Sequence, residues 1–198
     1  MVIDRSIEGL KADFVMSNDY NVMVEVIDYL ANLGHKKKAY INREVDLYHS
    51  IKRFQGYVDG LKKNNLNFFK ELVTDNGGLS LQDGYHEMEK FLTMENKKKP
   101  TAIIAFNYII AIGAIRATKD RNYKIPEDFS ILGFDNIFFD GFLETKLTSV
   151  TANKKEIAGL AVQFLLKRVN GDTSEPKWAL NHRQLIMRDT IAQPGKIV

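Results

Sequence analysis

The sequence predicts an α/β fold built on a doubly wound parallel sheet. Short apolar runs alternate with segments of helical period along most of the chain. The spacers between runs are about a dozen residues or more, the length a helical crossover between parallel strands requires. The runs themselves are largely apolar rather than alternating, as expected of strands covered on both faces.

From Asp19, the residues Val22, Met23, Val26, Ile27, Leu30 and Leu33 recur at helical spacing, and Gly34 supplies a stop. Residues 38–42 read as a buried strand. Helical period returns from about Leu47 with Ile51, Phe54, Val58 and Leu61. Residues 71–74 form a second strand, closed by the turn cluster 75–78. Leu81, Gly84, Met88, Phe91 and Leu92 mark the next helix, which Pro100 ends. A wholly buried strand is expected over 101–106, a helix over 108–121, a turn over 125–128, a strand over 129–134 and a fifth over 148–151. Asn153 then caps a helix carrying Ile157, Leu160, Ala161, Phe164, Leu165 and Val169, stopped by Gly171. Residues 2–4 and 14–17 read as strands with no helix before them, so the chain is expected to be a fragment of something larger.

Composition narrows the function classes. Of 198 residues, 44% are hydrophobic and 27% charged, which is ordinary globular usage and excludes disorder. The absence of cysteine removes disulfide scaffolds, iron–sulfur clusters, thiolate zinc sites and cysteine nucleophiles. No apolar run approaches the roughly 20 residues a membrane helix needs. The N-terminus is charged at once, so no signal peptide is expected. Lysines cluster at 36–38, 62–63 and 97–99. These read as solvated corners where helices meet strands, the alternative being a phosphate-binding patch.

Gly-rich phosphate loops, nucleophile elbows and zinc-binding helix motifs are all missing from the sequence. The four histidines are scattered, so neither metal nor cofactor is expected. His35, just after Gly34, reads as a helix-end cation. With no nucleophile beside a base, the chain is not expected to be an enzyme. In doubly wound sheets ligands bind beyond the carboxyl ends of strands. That rule selects the loops 44–50, 76–79, 107–108 and 135–136, and with them His49 and Leu79. Arg53, Asn107 and Asp135 lie where strands end. Converging on one crevice, a guanidinium, a carboxamide and a carboxylate can read a polyhydroxylated ligand. Alternatively, Asn107 and Asp135 simply cap the elements they precede.

Several segments together resemble the lactose/galactose-repressor family of bacterial transcription regulators. They are residues 30–37 (LANLGHKK), 53–57 (RFQGY), 100–103 (PTAI) with 107–113 (NYIIAIG), 125–135 (IPEDFSILGFD), 147–150 (LTSV) and 185–190 (LIMRDT). They occur in the family's order across nearly the whole chain. The resemblance implies a periplasmic-binding-protein-like lobe, truncated, lacking the DNA-binding headpiece and most of the first lobe. It implies residues 1–16 as a crossover segment from that first lobe and 17–147 as the second effector-binding lobe. Residues 148–175 would be a crossover strand and helix of the first lobe, and 176–198 a strand returning to the second lobe with a tail. It places Arg53, Asn107 and Asp135 at effector-contacting positions. Leu79 stands where several members carry an aromatic ring, Tyr108 replaces the usual aspartate, and Ala152 replaces a polar side chain of some sugar binders.

The function implied is the ligand-sensing part of a cytoplasmic repressor, binding a small sugar-like effector between lobes and reaching DNA only through the headpiece. A solute-binding protein of a sugar transporter is the alternative. Arg53→Ala and Asp135→Ala are expected to abolish effector response with the fold intact. A homodimer is expected through Ile112, Ile115, Phe138, Phe142 and Leu143. The helix after Asn107 is apolar nearly all round and needs cover on more than one side, and residues 137–143 put large apolar side chains on a loop. The competing reading folds those phenylalanines back into their own lobe.

Overall fold

A computed structural model describes every residue except 6, 8, 44–47, 75–77, 136–144 and 196–198. Its strands are β1 (Val2–Ile3), β2 (Phe14–Ser17), β3 (Lys38–Ile41), β4 (Val73–Thr74), β5 (Ala102–Ala105), β6 (Ser130–Phe134), β7 (Thr148–Ala152), β8 (Trp178–Asn181) and β9 (Arg183–Ile186). Its helices are α1 (Asp19–Asn32), α2 (Tyr48–Lys63), α3 (Leu81–Leu92), α4 (Tyr108–Asp120) and α5 (Lys154–Val169). Among the described residues no helix is long and apolar enough to cross a membrane.

The main sheet has six strands in the order β4-β3-β5-β6-β7-β9, parallel except for β9, which runs antiparallel to β7. Every residue of β3, β5 and β6 is buried. Both faces are therefore covered, and two packed helix pairs, α1 with α2 and α3 with α4, supply the cover. The second pair crosses closely because two glycines permit it. A Cβ on Gly113 would lie 2.0 Å from the Leu81 carbonyl oxygen, and one on Gly84 would lie 2.2 Å from that of Ile110. The helix starts are chemically marked. Asn18, Asn107 and Asn153 each accept a backbone N–H in the first turn of α1, α4 and α5, and Ser80 with Asp83 forms a reciprocal cap on α3.

A smaller sheet, β1-β2-β8, is entirely parallel. Helix α5 packs on it through Ile157 and Ala161 against Val15. Arg168 on α5 forks onto the Asp13 carboxylate with two bonds of 2.8 Å, and with the Lys177 backbone N–H it holds that carboxyl well below the usual range. The rest of α5 has little platform to cover, so Val162, Leu165, Leu166 and Val169 stay exposed.

The chain passes between the sheets three times within single-residue joints: at Asn18 from β2 into α1, at Asn153 from β7 into α5, and at His182 from β8 into β9. This corrects the sequence-based division in two respects. The strand within 148–152 was assigned to the first lobe, but its backbone pairs with β6 and β9, placing it in the six-stranded sheet. The helix that follows it does pack on the smaller sheet. Likewise the region after 176 holds two strands, one in each sheet, where one was expected.

His35 is also corrected. It is buried rather than a helix-end cation, its Nδ1 lies 2.8 Å from Thr101 Oγ1 and its Nε2 2.9 Å from the Ala192 carbonyl. Burial lowers its pKa, and a neutral ring donating from Nε2 and accepting at Nδ1 satisfies both contacts.

Candidate functional site

The carboxyl ends of the parallel strands, beside the three chain crossings, hold a cluster of charges centred on Arg53. Arg53 is on α2, one helical turn after its start, and its residue exposure is only 1%. Its guanidinium carbon sits 4.7 Å from the Phe106 ring centroid and 4.2 Å from that of Phe134, so two aromatic faces hold it. Nε donates to Asp19 Oδ1 at 2.6 Å, one terminal nitrogen donates to the Phe106 carbonyl, and the other reaches Asp135 Oδ2 at 3.5 Å. A buried guanidinium needs such partners, since an unpaired charge at this depth costs several kcal/mol.

Asp135 follows β6 directly and takes a left-handed backbone, φ 63°, which is uncommon for a residue with a side chain. Its N–H is fixed to the Val150 carbonyl at 2.8 Å. The carboxylate is thereby turned back over the strand ends, where Arg183 donates to it at 2.7 Å. It remains 44% exposed, so it faces the opening while the arginines lie beneath it.

Asp19 and Arg183 complete the cluster, and sequence reasoning missed both. Each is the first residue after a crossing between the sheets. Arg183 Nε lies 3.2 Å from Asp19 Oδ1, within ion-pair reach although its angle makes no hydrogen bond. Burial pushes the Asp19 carboxyl upward, but Arg53, the His49 hydrogen bond and Arg183 outweigh it and hold the pKa at about 2. The sequence signal was weak. Asp19 reads as an acidic residue in a first helical turn, and Arg183 fell inside what looked like a tail strand.

His49 joins the same network. Its Nδ1 is 2.6 Å from Asp19 Oδ2 and its Nε2 2.5 Å from the Asp4 carbonyl, just past β1. The Asp19 hydrogen bond raises its pKa against the opposing effect of burial. Among the described residues, four further buried polar atoms have no hydrogen-bond partner near these strand ends: Tyr40 Oη, Asn42 Oδ1, Ser50 Oγ and Thr74 Oγ1. Buried groups of this kind are normally satisfied, and unpaired ones at a strand-end crevice are available to a polar ligand. Among the described residues no cluster of three or more acidic or histidine side chains is arranged to hold a metal.

The candidates chosen from sequence therefore divide. Arg53 and Asp135 meet, and His49 is tied to them through Asp19. Asn107 spends its side-chain oxygen capping α4, accepting from the Ile110 N–H at 2.8 Å, as the alternative reading had it. Leu79 lies just before the α3 cap, with 37% of its surface exposed. Ile112 and Ile115 are half-buried against the core, and α3 supplies the second cover that an all-round apolar α4 demands. Phe138, Phe142 and Leu143 lie outside the described residues, as do Asn76 and Asn136.

Residues 27–191 match the family model of the periplasmic binding protein-like domain. The chain belongs to that family. It is 28% identical over 179 residues to the HTH-type transcriptional repressor PurR of Mannheimia succiniciproducens, a match covering 90% of this chain and 53% of the relative. To the probable HTH-type transcriptional repressor ExuR of Bacillus subtilis it is 27% identical over 191 residues, covering 96% of this chain and 56% of the relative. The chain thus spans about half the length of the curated relatives it matches. A sugar-binding transcriptional regulator of the LacI family from Escherichia coli, solved with phosphate, superposes with a TM-score of 0.86. It is 28% identical, with 98% of this chain and 68% of that one covered. A LacI-family regulatory protein from Chloroflexus aggregans gives a TM-score of 0.89 at 26% identity, covering 96% and 68%. The resemblance read from the sequence motifs holds in both comparisons, and these relatives are regulators rather than enzymes.

Proposed function

We propose that this chain is the effector-sensing part of a LacI-type transcriptional repressor, and that the cluster around Arg53, Asp135 and Arg183 is the floor of its effector site. The observation that carries the reading is the posture of Asp135. Its carboxylate is aimed at the opening by a left-handed backbone and underpinned by two arginines, so it can accept from ligand hydroxyls without reorganising. A small, hydroxyl-bearing metabolite, a sugar or a related polar compound, suits that chemistry. Tyr40, Asn42, Ser50 and Thr74 supply further polar contacts at the same strand ends.

A ligand that bridges the two sheets and binds one arrangement of them better than the other shifts the balance between DNA-bound and released repressor. DNA would be reached through a headpiece outside this chain, in a cytoplasmic homodimer using Ile112, Ile115, Phe138, Phe142 and Leu143. Matches to repressors named PurR and ExuR favour this reading over a transporter's solute-binding protein. The experiment is a thermal-shift screen of sugars, sugar acids and nucleobases against the intact protein, followed by operator release. Binding at one hundred times Kd raises stability by about 2.7 kcal/mol, readily seen. A ligand that shifts the melting temperature equally in wild type and Asp135→Asn would refute the site.

A further inference from the structure

At the opposite end of the six-stranded sheet, where β3 and β5 begin, lies a second pocket with a volume of about 320 Å³. Lys36, Lys37, Lys99, Asn96 and Pro194 are among the residues that line it, and no acidic side chain does. That size is at the lower end for small-molecule sites. The lysine runs 36–38 and 97–99, far apart in sequence, are brought together here because β3 and β5 are neighbours in register, Lys38 opposite Ala102.

Among the described residues, the charges in this pocket are poorly compensated. Lys99 is buried to 7% exposure, yet its ammonium donates to a neutral group, Tyr123 Oη, at 2.9 Å. Among the described residues no carboxylate comes within ion-pair distance of Lys99, Lys36 or Lys37. Lys37 donates to the Lys97 carbonyl, again a neutral acceptor. The nearby acid Glu95 is already shared by Lys97 and Lys98 at 3.3 and 3.9 Å. Beside the pocket Lys38 is 1% exposed and donates to the His35 carbonyl, and among the described residues no carboxylate pairs with it. Its burial lowers its pKa to about 8. Uncompensated ammonium groups around a concave, partly desolvated surface concentrate field into it and attract an anion.

We propose that this pocket is a binding site for a small phosphate-bearing anion, a phosphate monoester or a diphosphate, separate from the cleft around Arg53. The charged donors are all lysines. They act as point charges, which hold clustered, multiply charged phosphate oxygens without demanding one fixed geometry. Pro194 and the lysine stems give the walls an apolar component that an organic ester would use.

The test is calorimetric titration of the intact protein with inorganic pyrophosphate at fixed ionic strength, with sulfate as comparison, and mapping of amide shifts. Saturable binding is expected, with shifts confined to residues 34–37, 96–101 and 194–195. Lys36→Gln combined with Lys37→Gln, which alters only exposed and half-exposed side chains, should weaken it at least tenfold. Asp135→Asn should leave it unchanged, which separates this site from the effector cleft. The proposal is overturned by linear, non-saturating titration, by sulfate binding as tightly, by unchanged affinity in the double variant, or by shifts around Arg53 instead.

Discussion

His49 Nδ1 stands 2.6 Å from Asp19 Oδ2, and the same ring reaches across to the Asp4 carbonyl at the end of the smaller sheet. Both partners are acceptors, so both contacts are hydrogen bonds only when the imidazole carries two protons. The charged ring is thus a strap between the two sheets, anchored at Asp4, whose carboxylate itself takes the Ser17 N–H and hydroxyl.

A pH dependence follows with a definite sign. The His49 pKa is raised on folding, so its contribution is fully present below its ordinary value near 6.5 and is lost as pH rises through the higher folded value. The difference in melting temperature between wild type and His49→Gln should be largest near pH 6 and shrink toward pH 9. A difference that stays constant across that range would show that the strap does not need the proton.

Asp19 behaves in the opposite sense. Its pKa falls from 3.8 to about 2, so its contribution is present above pH 3.8 and disappears as pH drops through about 2. The difference corresponds to roughly 2 kcal/mol. Acid unfolding monitored by circular dichroism should therefore begin at higher pH in Asp19→Asn. Coincident acid transitions would contradict the ionic role.

The two substitutions once expected to be equivalent should now differ. Arg53→Ala leaves the buried Asp19 carboxylate with less compensation and opens a space between Phe106 and Phe134, so it should destabilise the fold by about 3–5 kcal/mol. Asp135→Ala removes a partly exposed carboxylate but leaves buried Arg183 only its ion pair with Asp19, so it should destabilise the fold less than Arg53→Ala. Its effect should fall on ligand affinity, by roughly 1.5–3 kcal/mol for a lost charge-assisted bond. Chemical denaturation of both variants separates the cases, and equal midpoints would refute the distinction.

Much of this architecture was legible in the sequence, for identifiable reasons. Helix α1 was placed over its observed span because Val22, Met23, Val26, Ile27 and Leu30, all buried on one stripe, recur at helical spacing up to Gly34. Strands β5 and β6 were legible because both faces are covered, leaving apolar runs without alternation. The division between sheets was not, because it turns on crossings one residue long at Asn18, Asn153 and His182, where local composition changes nothing. The same cause hid Arg183 and Asp19. Both act through neighbours distant in sequence, and Arg183 reaches Asp135 from an antiparallel edge strand that a purely parallel reading does not contain. Of the apolar residues read on helix α5, only Ile157 and Ala161 are buried, since a three-stranded sheet gives it a narrow floor.

The crossing of α3 and α4 yields the last prediction. Asn107 begins α4 with a cap, which fixes where that helix starts relative to β5, and Gly113 lies about a turn and a half further along. At that point the α3 backbone passes so close that an added Cβ would come 2.0 Å from the Leu81 carbonyl oxygen and 2.8 Å from the Tyr85 nitrogen. Backbone cannot rotate aside as a flexible side chain could, so the helices must separate. Ala is a better helix former than Gly by about 1 kcal/mol, which in an open helix would stabilise. Here overpacking of roughly 1–3 kcal/mol outweighs that gain. Gly113→Ala should therefore lower stability, while Gly159→Ala on α5, where a Cβ meets nothing within 4 Å, should hold or raise it. Urea denaturation of the pair decides the matter. If Gly113→Ala matches Gly159→Ala, the helices do not pack as closely as this crossing requires.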